Sequence, residues 1–169
     1  DQWVIQWYVI DPHLDKFRSV NASATTPSTE WKPDIVAMGR LDTVGDRYHP
    51  VIGVTQQGVA YIEYTYSSST VWPEVRRVTL NSSYDGIVLN SETTVKMGPS
   101  NYYAGALDGW ADFADMQADP VTGCAFWSPH TLVHAADTSV NDRRDAWLFQ
   151  TLFNCGNSNL NFDDGTDLY

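Results

Sequence analysis

The chain has 169 residues, of which 43% are hydrophobic and 18% charged, and its 21 Asp and Glu against ten Lys and Arg give a formal charge of −11. That length supports one domain with a real core, and a field of that sign disfavours DNA, RNA and anionic membrane surfaces as partners. No apolar run approaches the roughly 20 residues of a membrane-spanning helix, so no membrane span is expected.

Seven Trp, nine Tyr and six Phe favour pleated surfaces, on which aromatic side chains pack well. The first predicted strand is Trp3–Ile10. Trp3, Ile5, Trp7 and Val9 share one face at period two, and Asp11-Pro12 ends the run. The chain opens inside this strand without Met or a basic leader, which reads as a processed or partial product. A loop rich in Ser, Thr, Asn and Pro follows from Ser19 to Thr29, then a short apolar run from Ile35 to Met38. His49–Val54, the turn Gln56-Gln57-Gly58 and Val59–Tyr66 form the clearest hairpin. In its return strand Ala60, Ile62, Tyr64 and Tyr66 alternate with Val59, Tyr61, Glu63 and Thr65. Both faces are largely apolar or aromatic, as in a strand covered on two sides.

Val75–Leu80 and Thr93–Met97 are weaker strand predictions. Leu107, Trp110, Ala111 and Ala114 also fit helical spacing, with Asp108 as a cap. Pro120 and the glycine-containing turn Asp119–Gly123 favour instead a strand at Phe113–Ala118, followed by strands at Cys124–Trp127 and Ala146–Phe153. Strands at this spacing predict an all-β sandwich, barrel or propeller.

Cys124 and Cys155 are the two cysteines. An even pair in such a chain points to a disulfide and an oxidising compartment, worth about 3–4 kcal/mol in the chain-entropy model. Two buried thiols are the alternative. Asp108, Asp112, Asp115 and Asp119 form an acidic cluster that reads first as turn and strand-end acids, and second as a carboxylate pair or metal site. His130 and His134 read as residues of a solvent-facing loop. Asn21-Ala22-Ser23 and Asn81-Ser82-Ser83 are formal glycosylation sequons and serve as surface markers. Neither a nucleophile elbow, a phosphate loop nor a dinucleotide fingerprint is found.

The motif order resembles the C-terminal blades of secreted bacterial propellers with a sialidase-like fold. The residues carrying the resemblance are Gln6-Trp7-Tyr8-Val9-Ile10-Asp11-Pro12, Tyr48-His49-Pro50-Val51-Ile52-Gly53-Val54, Trp110 to Pro120, and Cys124-Ala125-Phe126-Trp127, with Cys155 where such proteins place a closing cysteine. Ala111 and Phe113 depart from the usual Gly and Tyr, and the Asp-box of true sialidases is not matched. The resemblance implies an all-β, partial β-propeller over residues 1–155, about three blades of four-stranded antiparallel sheet. The remaining blades would be supplied upstream or by another subunit. Residues 156–169 form an acidic tail. In it Asn159, Asn161, Asp163, Asp164 and Asp167 around Gly165 resemble the start of a dockerin-like Ca²⁺ loop, the alternative being a solvated linker.

These readings predict a secreted or cell-surface, non-enzymatic binding or assembly module. Its partner would be a protein or the remaining blades, with a carbohydrate as a further ligand and Ca²⁺ as cofactor. Trp31, Trp72, Tyr102 and Tyr103 are the candidate contact aromatics. The alternative function is a sialidase-like glycoside hydrolase sharing its active site with upstream blades. It would draw on Arg40, Arg47, Arg76 and Arg77 to grip a carboxylate, and on Tyr61, Tyr64 and Glu63 for the chemistry.

Overall fold

The computed structural model describes residues 2–11, 34–55, 58–83, 86–99, 114–133 and 144–153. Among them the regular structure is all β: β1 (Ile5–Asp11), β2 (Asp34–Leu41), β3 (Asp46–Val54), β4 (Ala60–Ser67), β5 (Glu74–Ser83), β6 (Gly86–Leu89), β7 (Thr93–Lys96), β8 (Gln117–Ala118), β9 (Ala125–Val133) and β10 (Arg144–Leu152). Every pairing is antiparallel. Three sheets result: β1-β2, then β3-β4-β5 with β6 and β7, then β10-β9-β8.

The middle sheet has four strand positions. β6 pairs the far end of β5 (Leu80 opposite Leu89) and β7 the near end (Arg77 opposite Thr93). Both lie on the edge of β5 that β4 leaves open. They act as one fourth strand, broken over Asn90 to Glu92.

The sheets stack face to face in chain order. From β4, Ile62, Tyr64 and Tyr66 pack with Val78 and Leu80 of β5 against Ile5 and Leu41 of the first sheet. The opposite face of the middle sheet presents Val51 and Tyr61 to Met116, Phe126 and Phe153, and Val75 to Leu132 and Phe149. β4 is therefore buried on both faces, as its double apolar alternation predicts. Each large side chain removed from water in this way stabilises the fold by roughly 1.5–3 kcal/mol.

Two glycines let a large side chain lie directly on the backbone, Gly39 within the first sheet and Gly53 between the second and third. A Cβ on Gly39 would run into the indole of Trp7, which lies across that backbone. A Cβ on Gly53 would sit 2.6 Å from Met116 Sδ and 2.8 Å from Phe126 Cε1. Backbone without a side chain at these points lets an aromatic ring lie against it.

Three elements differ from the sequence-based expectation. Of the predicted strand Phe113–Ala118, Gln117–Ala118 is strand and Ala114 to Met116 lie outside any strand, while Phe113 falls outside the described residues. Asp115 Oδ1 takes the Met116 N–H at 2.8 Å, a local bond that competes with ladder pairing. His130 belongs to no solvent-facing loop: it is buried in β9. β3 begins at Asp46 and carries a bulge between Tyr48 and Val51, with His49 at φ 52°.

Candidate functional site

Polar side chains collect on each face of β4. On the side of β9 and β10, Glu63 is wholly buried. Arg77 Nε donates to its Oε1 at 2.8 Å, as does Thr151 Oγ1. Ser128 donates to Oε2, and His130 Nε2 lies 3.3 Å from the same oxygen. Burial pushes the carboxyl pKa up, but the contacts of His130, Arg77, Ser128 and Thr151 overcome it and hold it at about 2. Glu63 stays an anion that ties the middle sheet to the third.

On the side of β1 and β2, Glu92 enters at the break between β6 and β7. Arg47 Nε donates to its Oε1 at 3.0 Å and Arg76 Nη1 to its Oε2 at 2.6 Å. The Tyr64 hydroxyl donates to Oε1. Arg76 also pairs with Glu74 and stacks 3.4 Å from the Tyr66 ring centre. Burial raises the Glu92 pKa, and Tyr64, Arg47 and Arg76 together lower it below its ordinary value. Burial, then Glu92, pushes the Tyr64 phenol well above its ordinary range.

The structure thus brings Arg47, Arg76 and Tyr64 together, as a glycosidase reading requires. They converge on the protein's own carboxylate, however, and Tyr64 is held as a proton donor. Arg77 is occupied by Glu63, and Arg40 is exposed beside Asp42 at 3.7 Å. Tyr61 is also raised, by burial, against a lowering from Arg77. Chemically these clusters neutralise charge within and between sheets; neither presents an activated nucleophile.

The surface offers a different kind of site. On β1–β2 the face turned away from the middle sheet carries Tyr8 opposite Met38 and Ile10 opposite Ile35, with Val36 at the bulge. All five are between 48% and 64% exposed. Contiguous apolar side chains of this size mark an interaction surface more often than a solvated one. The third sheet is milder, exposing Leu148 and Leu152 on its outer side.

A second surface feature is a cleft of about 680 Å³ between the start of β1 and the start of β3. Trp3, 72% exposed, lies on it. Arg47 N–H donates to Trp3 O at 3.0 Å, and Trp3 N–H to Asp46 Oδ1 at 2.9 Å, closing one end.

Of the residues singled out from the sequence, Trp72 lies in the β4–β5 connection, 48% exposed. Trp31, Tyr102, Tyr103, Cys155 and the tail residues Asn159, Asn161, Asp163, Asp164 and Asp167 lie outside the described residues, as do Asp108 and Asp112. Asp119 shapes a turn: its Oδ1 accepts the N–H groups of Val121 and Thr122, and its Oδ2 the Trp127 indole. These bonds lower its pKa. Among the described residues no group of three or more His, Cys, Asp or Glu is placed to hold a metal ion, and no helix is long and apolar enough to cross a membrane.

Sequence reasoning missed Glu92 and the outer face of β1–β2. A signal for the latter was present in Ile35-Val36-Ala37-Met38, apolar at successive positions and hence on both faces of a strand. Compared with known proteins, the chain matches no family model, no curated protein and no solved structure.

Proposed function

We propose that this chain is a non-enzymatic, extracellular assembly module: consecutive blades of a β-propeller whose first sheet receives a further sheet on its outer face. The observation that carries the reading is the row Tyr8, Ile10, Ile35, Val36 and Met38, exposed on a two-stranded sheet whose other face is already packed. Face-to-face stacking in chain order, and a middle sheet with four strand positions, agree with blade architecture. The occupant is a sheet of the same kind, because the two interfaces already formed are sheet on sheet.

A bridge between Cys124 and Cys155 belongs to this proposal. Phe153 N–H donates to Cys124 O at 3.0 Å, so the chain returns to Cys124 just before Cys155. Binding of Ca²⁺ by the acidic tail is part of the same extracellular reading and rests on its oxygen-rich spacing.

The test is sedimentation velocity over a concentration series. The parent chain associates, and the double variant Tyr8→Asp/Met38→Glu, altered at exposed positions, remains monomeric with an unchanged unfolding midpoint. A parent chain that is monomeric at every concentration overturns the proposal.

A further inference from the structure

We propose that the cleft between β1 and β3 binds a neutral saccharide, a site separate from the outer face of β1–β2. Its volume, about 680 Å³, suits a small ligand. Trp3 offers a largely exposed indole, and Tyr48 and His49 meet edge to face at 5.4 Å further along. Such rings suit the C–H faces of a sugar. Asp46 supplies a carboxylate for its hydroxyls.

The charge pattern selects a neutral ligand. Arg47 lines the cleft, but its guanidinium is turned to Glu92 and to Thr43, whose carbonyl and hydroxyl it meets at 2.8 and 2.6 Å. It therefore has no donor group to offer an anion, while Asp46 and the net charge of −11 repel one. A purely apolar ligand would leave the Asp46 carboxylate without solvent, at a desolvation cost.

The backbone argues against a peptide strand as the occupant. β3 borders the cleft, but its edge is interrupted by the bulge, and Pro50 has no N–H to donate to an added strand. His49 holds φ 52°, a region that residues with a Cβ rarely adopt. Non-glycine residues held there cluster at ligand sites.

The experiment is isothermal titration of the whole chain with hexasaccharides of β-1,4-glucose, β-1,3-glucose, β-1,4-xylose and β-1,4-mannose, and with oligogalacturonate as the anionic counterpart. At least one neutral probe binds, oligogalacturonate does not, and Trp3→Ala weakens binding about tenfold or more with an unchanged unfolding midpoint. Binding of no neutral probe, equal binding by Trp3→Ala, or preference for oligogalacturonate each overturns the proposal. Loss of self-association in Trp3→Ala without saccharide binding would make the cleft a protein contact and overturn it too. The Tyr8→Asp/Met38→Glu variant keeps saccharide binding, so this proposal and the assembly proposal fail independently.

Discussion

Replacing Glu63 by Gln lowers the free energy of unfolding by about 3 kcal/mol, measured as a shift of the urea midpoint at neutral pH. The substitution keeps the volume and removes the charge. Arg77 then lies between two sheets without its counter-ion, and the new amide brings donors to a place where Ser128, Thr151 and Arg77 already donate. The Arg77 side chain is 23% exposed, so water screens part of the loss. This puts the cost at the lower end of the range for breaking a buried pair.

The pH dependence follows from the same carboxylate. Its pKa falls from 4.5 to about 2 on folding, a shift worth about 3 kcal/mol. A depressed carboxylate stabilises the fold fully above its unfolded pKa, and that contribution disappears as pH falls from 4.5 through about 2. Glu63→Gln therefore flattens stability against pH over this acid window. A variant with the parent's full acid sensitivity would show that Glu63 is not the linked group.

Phe126→Ala has a comparable or larger effect, a loss of about 3–5 kcal/mol. Phe126 is 2% exposed. Its ring lies 5.7 Å from that of Tyr61 and 4.9 Å from that of Phe153, with Val51 and Met116 around it. The ring reaches against the bare backbone of Gly53, which cannot move in to fill the space. Because the ring joins the second and third sheets, the loss is shared by the whole stack. Trp fluorescence and far-ultraviolet circular dichroism should lose their signals together at the lower midpoint. Two separated transitions would show that the third sheet folds on its own.

The hairpin of β3 and β4 was legible because its turn and alternation are local. The two-sided burial of β4 was legible for the same reason: its apolar residues fall on both parities. The Glu63 cluster was not, since its partners come from β5, β9 and β10, and no sequence spacing joins them. His130 was read as a solvent-facing loop residue, whereas β9 runs on through Pro129 to Val133. β8 stops opposite Trp127, so at Pro129 that side of β9 has no ladder for the missing N–H to interrupt. The turn role of Asp119 was readable from Asp-Pro and the following glycine. The apolar outer face of β1–β2 required knowing which side of that sheet was already covered.

The layered order also fixes where the molecule opens first. The middle sheet is clamped on both faces, whereas β1–β2 is a two-stranded ribbon held through one, and such a ribbon has little stability alone. In hydrogen–deuterium exchange the amides of β4 should exchange only through global unfolding, and those of β1 and β2 through a smaller, earlier opening. A sheet seated on Tyr8, Ile10 and Met38 would close that path. Slowed exchange in β1 and β2, with β4 unaltered, would then report assembly one residue at a time.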